Sequence, residues 1–75
     1  MAIILDNDDP MGNQVIAVDA NNGDAQLFGG YLAGHQQAYL NPVFDDSGFA
    51  NVSTFQDGGP RVNHSLLHDG DTIHP

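Results

Sequence analysis

Apolar and polar residues alternate along several short segments of this chain, which is the pattern of half-buried β-strands. The clearest case runs from Phe49 to Phe55. On an extended chain, Ala50, Val52 and Thr54 share one side, and the residues between them share the other. This segment therefore predicts a strand whose two faces meet different surroundings.

Other strand-like segments are separated by clusters of turn-forming residues. Val15–Val18 and Ala25–Phe28 flank the sequence Asn-Asn-Gly-Asp, a combination that predicts a β-hairpin. Arg61–His68 alternates imperfectly, so we expect a β-bulge within it, and Thr72–Pro75 is predicted to be extended. The turn clusters begin at Asp6, Asn21, Asp45, Asp57 and Asp69.

Residues 25–40 fit two different structures. Their large apolar side chains recur at nearly helical spacing, and Asn41-Pro42 would end a helix there. Against a helix, Gly29, Gly30 and Gly34 each cost about 1 kcal/mol relative to Ala in a helix interior. The alternatives are a short helix and a strand interrupted by a glycine bulge.

The composition favours β-structure for the chain as a whole. Glu and Lys, two good helix formers, are absent, whereas Gly, Asn and Asp are abundant. We predict a mainly β fold of short antiparallel strands and hairpins with long turns, in one domain spanning residues 1–75. Ala2–Leu5 is either an edge strand or, within residues 1–13, part of an extended N-terminal arm.

The chain is short for a domain that stands alone. A protein of 75 residues buries a smaller share of its surface than a typical domain. It has no cysteine, so disulfides and thiolate metal sites are excluded. Small domains without such supports commonly oligomerise. We therefore expect the fold to be completed by oligomerisation or by docking on a larger body.

The charge is almost entirely negative. Ten Asp, no Glu, no Lys and a single Arg, Arg61, give a formal net charge of −9. This balance disfavours direct binding to nucleic-acid phosphates and to anionic membrane surfaces. Without Lys, a phosphate-binding P-loop and a lysine Schiff base are both excluded. The partner is expected to be neutral or basic.

Two groups of residues have the side chains of metal ligands. Asp19, Asn21 and Asp24 offer oxygen atoms at spacings found in calcium loops, but the glycine and glutamate of an EF-hand are missing. His64 and His68 would share a helix face, whereas on a strand they lie about 13 Å apart, too far for one ion. Symmetry-related copies of one histidine could still meet around a metal. We predict no metal site and no cofactor, with these five residues as the candidates to check.

No arrangement of residues indicates catalysis. The G-x-S-x-G elbow of many serine hydrolases is absent, and a chain of this size has little room for a cleft that encloses a substrate. We predict no catalytic residue. Arg61 is expected to form an ion pair that fixes a turn, or to anchor a partner. The candidate interaction residues are Arg61, Tyr31, Tyr39, Phe44, Phe49 and Phe55.

The C-terminal half carries a resemblance to a known family. From Tyr39 the chain reads Tyr-Leu-Asn-Pro-Val-Phe-Asp-Asp-Ser-Gly-Phe-Ala-Asn-Val, followed by Asp57-Gly58-Gly59 and later by Asp-Gly-Asp-Thr-Ile. This segment, residues 39–73, resembles head-binding and anchor regions of bacteriophage tail fibres and tailspikes. It departs from them at Pro60, where an aromatic residue is usual nearby, and in the order of Asp69-Gly70-Asp71. The resemblance implies trimers or other symmetric assemblies.

These observations lead to three functional hypotheses. The first is a non-enzymatic virion structural protein, namely a capsid decoration or fibre-anchor module. It would assemble in the host cytoplasm and dock on a capsid or tail protein of the same particle. It is expected to be a homo-oligomer, with a trimer favoured. The second is a small acidic inhibitor that mimics nucleic acid and occupies the basic groove of a host protein. The third is a calcium-dependent adhesion module.

Overall fold

The computed structural model describes all 75 residues and consists of β-strands joined by turns and loops. It holds no helix with the length and apolar character needed to cross a membrane. The strands are β1 (Ile3–Asp6), β2 (Asn13–Asp19), β3 (Ala25–Leu32), β4 (Gln37–Leu40), β5 (Ala50–Gln56), β6 (Val62–Leu67) and β7 (Thr72–Ile73).

The strands form two sheets. The larger sheet has the order β3-β2-β5-β6 with every pair antiparallel. The smaller sheet has the order β4-β1-β7, in which β1 is antiparallel to β4 and parallel to β7. This architecture confirms the predicted mainly β fold of short strands, and β2 and β3 form the predicted hairpin.

The N-terminal strand occupies a different place from the one predicted. β1 is the central strand of the smaller sheet, not an edge strand or a free arm. Its residues Ile3 and Leu5 are completely buried, and they pair with Leu40 and Ile73 respectively. The prediction failed because both partners lie far away in sequence, where local patterns give no information about pairing.

One hydrophobic core joins the two sheets. Alternate residues of each strand face it, as the pleat of a β-strand requires. Burying a side chain such as Leu5 contributes about 1.5–3 kcal/mol. The core comprises Ile3, Leu5, Leu40 and Ile73 from the smaller sheet and Val15, Ala17, Leu32, Ala50, Val52 and Leu67 from the larger one.

The helix considered for residues 25–40 does not form. The first half of this range is β3, and its residues from Phe28 to Leu32 pair in unbroken register with β2. A register shift leaves Leu27 without a partner, so the bulge lies at Leu27 and not at a glycine. Gly30 has a φ of 152°, a positive value that favours glycine over residues with a side chain.

The predicted irregularity in Arg61–His68 is confirmed. Ala50 pairs with Leu67 and Val52 pairs with His64, so two residues of β6 lie opposite one residue of β5. At this bulge Leu66 has a φ of 56°, and the side-chain oxygen of Asn51 accepts a hydrogen bond from its N–H at 2.9 Å. The bulge reconciles the imperfect alternation of the sequence with pairing along most of the strand.

Most of the turns are closed by aspartate side chains. The carboxylate of Asp45 accepts hydrogen bonds from the N–H groups of Ser47 and Phe49, and Asp57 accepts one from Gln14. The bonds of Asp45 lie within its own turn and are the physical reason why Asp favours turns, whereas the bond of Asp57 ties its turn to β2. The other carboxylates that accept backbone hydrogen bonds are Asp9, Asp19, Asp69 and Asp71.

A buried asparagine ties the β1–β2 connection to the end of β3. Asn7 is 1% exposed, and its Nδ2 lies 2.9 Å from the carbonyl oxygen of Met11, 3.0 Å from that of Leu32 and 3.1 Å from that of Ala33. Its Oδ1 accepts the N–H of Asp9 at 3.1 Å. Both polar atoms of the amide are therefore satisfied inside the protein.

The substitution Asn7→Ala is expected to lower the free energy of unfolding by about 1–3 kcal/mol, because buried backbone groups lose their partners. Asn41→Ala is the matched control, since Asn41 is exposed and such changes usually stay within about 0.5 kcal/mol. Urea denaturation followed by circular dichroism measures both. Equal stabilities for the two variants would contradict the structural role of Asn7.

Candidate docking surface

The outward face of the larger sheet carries exposed apolar side chains. Val15 and Ala17 of β2 point into the core, so Ile16 points outward and is 44% exposed. On β3, Tyr31 pairs with Gln14 on this same face and is 60% exposed. On β5, Phe55 pairs with Ile16. We call the surface formed by Gln14, Ile16, Gly29, Tyr31 and Phe55 the outer patch.

A shallow depression of about 280 Å³ lies within the outer patch. Three of the residues that line it are Gly29, Gly30 and Gly58, which have no side chains to fill the space. Ile16 and Phe55 lie beside the glycines and give the depression an apolar wall. The arrangement can receive an apolar side chain, but it does not enclose one.

Arg61 borders this face and is fixed there by three contacts. Its guanidinium carbon lies 5.2 Å from the centre of the Phe55 ring, a cation–π contact. One terminal nitrogen donates to the hydroxyl of Ser53 at 3.0 Å, and the other lies 2.5 Å from the carboxylate of Asp24. The predicted ion pair therefore connects the β2–β3 turn to the start of β6. Because both partners are more than a third exposed, the pair contributes about 0–1 kcal/mol.

The structure separates the aromatic residues that the sequence nominated for interaction. Tyr31 and Phe55 lie on the outer patch. Tyr39 is 69% exposed on the smaller sheet, Phe44 packs against the core, and the ring of Phe49 contacts that of His68 at a centroid distance of 4.5 Å. Two of the five aromatic candidates therefore share one surface.

The three oxygen-bearing candidates in the β2–β3 turn are engaged in internal bonds. Asp19 is 1% exposed, and its carboxylate accepts the N–H groups of Asn21 at 3.2 Å and Val43 at 2.7 Å. The Asn21 side-chain oxygen accepts from Asn51, and Asp24 pairs with Arg61. These contacts assign the three side chains to structural roles in the turn.

The two histidine candidates have different surroundings. His64 Nε2 lies 2.9 Å from the hydroxyl of Thr54, whereas His68 lies against Phe49 and 3.8 Å from the carboxylate of Asp71. Nowhere does the structure bring together three histidine or aspartate side chains in a geometry suited to a metal ion.

Partial burial lowers the pKa of His64 below its ordinary value, and the neighbouring His74 lowers it further. The folded state therefore favours the neutral imidazole, which is the form that can accept a hydrogen bond from Thr54. His74 itself faces Asp6 and Asp8, with its Nδ1 at 3.5 and 3.7 Å from their carboxylates.

Comparisons with known proteins give no relative. No protein-family model, curated protein or solved structure matches the chain.

Sequence reasoning missed part of the outer patch. Ile16 sits between Val15 and other apolar residues of β2, so no alternation marks it as outward-facing. The depression exists because Gly29 lies beside Ile16 in the sheet, a pairing that follows only from the hairpin register. Working out the strand register of the predicted hairpin would have placed Gly29 beside Ile16 and so indicated the depression.

The substitution Asp19→Asn is expected to reduce the free energy of unfolding by about 1–3 kcal/mol, because one buried N–H loses a charged acceptor and faces an amide donor. Asp46→Asn removes the same charge from an exposed residue and is expected to change stability by less than about 0.5 kcal/mol. Thermal and urea unfolding measure both. A loss in Asp46→Asn as large as that in Asp19→Asn would contradict the role of Asp19 in the turn.

The lowered pKa of His64 predicts a stability that depends on pH. The folded pKa lies below the unfolded value of about 6.5, so this contribution is fully present above the unfolded pKa and is lost as the pH falls from there through the folded pKa. His64→Gln, which keeps hydrogen-bonding capacity beside Thr54, is expected to lose less stability than the wild type between pH 7.5 and 5. Urea unfolding at both pH values tests this. Identical losses would contradict it.

Proposed function

We propose that this chain is a non-enzymatic structural protein that docks on a larger assembly, as the decoration and anchor modules of bacteriophage virions do. The observation that carries the proposal is the outer patch, whose own residues carry no charge and place Ile16 and Phe55 beside a shallow depression. Interface cores are enriched in aromatic side chains and depleted in charge, and the outer patch has both properties.

The position of the outer patch also favours docking. On the outward face, Ile16 pairs with Phe55 of β5 and with Gly29 of β3, and Tyr31 lies two residues further along β3. Ile16, Phe55 and Tyr31 therefore stand on three adjacent strands of one sheet. A sheet face of this kind is rigid, because each strand is hydrogen-bonded to its neighbours. A rigid surface loses little conformational entropy when it binds.

The C-terminal half supports the virion form of this proposal. The segment that resembles phage anchor regions, residues 39–73, contains a turn at residues 45–48, the strand β5, a glycine turn and the strand β6. On this proposal the partner is a capsid or tail protein of the same particle.

The carboxylates give less support to the alternative of a nucleic-acid mimic. A mimic needs most of its acidic groups free on one face to imitate a row of phosphates. Here the side chains of Asp45, Asp57 and Asp69 are among those that accept backbone hydrogen bonds in separate turns. Docking by the outer patch requires no such row.

Two exposed tyrosines provide a matched test of the docking surface. Tyr31→Asp places a charge on the outer patch, and Tyr39→Asp places the same charge on the other sheet at similar exposure. We expect Tyr31→Asp to weaken association with the particle at least about tenfold, equivalent to about 1.4 kcal/mol, and Tyr39→Asp to change it by less than about twofold. The measurement is the bound fraction of each purified variant after gradient sedimentation with virions from the same source.

The same experiment can contradict the proposal in two ways. If the wild-type chain remains at the top of the gradient and is absent from the particle peak by mass spectrometry, the virion role is wrong. If Tyr39→Asp weakens association as much as Tyr31→Asp does, the outer patch is not the docking surface. Circular dichroism spectra that match the wild type establish that both variants are folded.

A further inference from the structure

Each sheet ends in two edge strands, and three of these four edges are poorly suited to pairing with another strand. β6 is interrupted by its bulge, where the N–H of Leu66 already binds Asn51. β4 has four residues and is followed closely by Pro42, and β7 has two residues and is followed closely by Pro75. Bulges, short length and proline are the features by which proteins protect exposed edges.

The fourth edge, β3, has its bulge at Leu27 and lacks these protections beyond it. From Phe28 to Leu32, β3 holds no charged residue and no proline, and it pairs with β2 without interruption. We call this segment the open edge. β2 is its only partner strand, and the one hydrogen bond it receives from elsewhere comes from Asn7 to the carbonyl of Leu32. At about 3.3 Å per residue, the open edge is about 16 Å long.

The open edge and the outer patch are continuous. Gly29 and Tyr31 belong to both, and the depression begins beside Gly29 and Gly30. A strand added to the open edge would direct alternate side chains to the outward face of the sheet. Main-chain hydrogen bonds would then supply affinity, and the depression would receive one of those side chains, as in β-strand addition.

The added strand can come from a second copy of this chain or from a partner protein, and the net charge of the chain favours the partner. A second copy of this chain would bring another net charge of −9 against the first, and that repulsion opposes pairing. The single arginine cannot offset it, because Arg61 is already paired with Asp24. A cationic strand from a partner is attracted by the same field.

We infer that the open edge of β3 binds an extended segment of the partner protein in which apolar residues alternate with Lys or Arg. This inference rests on the proposed docking function and specifies its partner. The apolar residues of the segment lie over the outer patch, and its cationic residues face the acidic chain.

The test uses the intact chain and a blocked peptide of about six residues in which Val alternates with Lys, about the length of a typical strand. Titration followed by amide NMR is expected to shift the resonances of residues 28–32 and to leave those of β6 in place. Binding is expected to weaken as sodium chloride is added. Two control peptides define the interaction: one N-methylated at alternate residues, which lacks half the donors, and one with Glu in place of Lys. Each is expected to bind at least about tenfold more weakly.

A substitution on the protein gives an independent arm of the test. Gly29→Lys places a cation on the open edge, where the added side chain displaces only the flexible end of Gln26, and it is expected to weaken peptide binding at least about tenfold. Ser65→Lys on β6 is the matched control, with an expected change of less than about twofold. The peptide controls act on the unaltered chain, so the test remains decisive if Gly29→Lys fails to fold.

Several outcomes would overturn the inference. Equal affinity for the N-methylated peptide would show that the edge is not used, and equal affinity for the glutamate peptide would show that charge does not select the segment. Shifts of residues 28–32 that rise with protein concentration and strengthen with salt, without peptide, would identify a second copy as the occupant. If Tyr31→Asp loses particle association but no peptide reaches the open edge, the docking function stands and this inference fails.

Discussion

The fold depends on β1 being held between two strands that come from distant parts of the chain. β1 pairs with β4 on one side and with β7 on the other. The turn before β7 strengthens this connection, because the N–H of Ala2 donates to the carboxylate of Asp69 and the N–H of Ile4 donates to the carbonyl of Asp71, each at 2.8 Å. These contacts close nearly the whole chain into a loop, and the entropy of that closure must be offset by what β1 buries. Ile3 and Leu5 provide that burial by completing the core against the larger sheet.

This arrangement determines which surfaces remain for a partner. The inward faces of both sheets are buried in their shared core, so a partner can contact only the outward faces and the edges. The outward face of the larger sheet has Ile16 paired across from Phe55, and both are apolar. On the smaller sheet, Tyr39 pairs with Ile4, which in turn pairs with Thr72. The larger sheet is wider, and it combines apolar outward side chains with an edge that pairs in unbroken register from Phe28 to Leu32.

Local sequence patterns predicted the local parts of this structure and failed where pairing was distant. The hairpin of β2 and β3, the strand at Ala50–Gln56 and the bulge in β6 follow from alternation and turn chemistry within about a dozen residues. The choice between helix and strand for residues 25–40 was not decidable in this way, because the apolar spacing fits both. The strand forms because β2 pairs with β3 along its length, including Gly29 and Gly30. The central position of β1 and the apolar depression likewise depend on neighbours that alternation does not identify. The aromatic character of Tyr31 and Phe55 made them candidates, but it did not show that Phe55 pairs with Ile16.

The aspartates accept hydrogen bonds within the chain, and their summed charge acts on other molecules outside it. The carboxylate of Asp45 closes its own turn by binding backbone N–H groups. Those of Asp57 and Asp69 instead bind N–H groups that are far away in the sequence. A chain with this many turns and only one arginine accumulates a net charge of −9 as a result. A hydrogen bond from a backbone N–H does not cancel the charge of a carboxylate, so the summed charge persists as a field around the molecule. That field raises the cost of the compact state and favours cationic partners without any dedicated acidic site. The outer patch therefore discriminates against acidic partners although its own residues carry no charge, because the negative field of the rest of the molecule repels such partners as they approach.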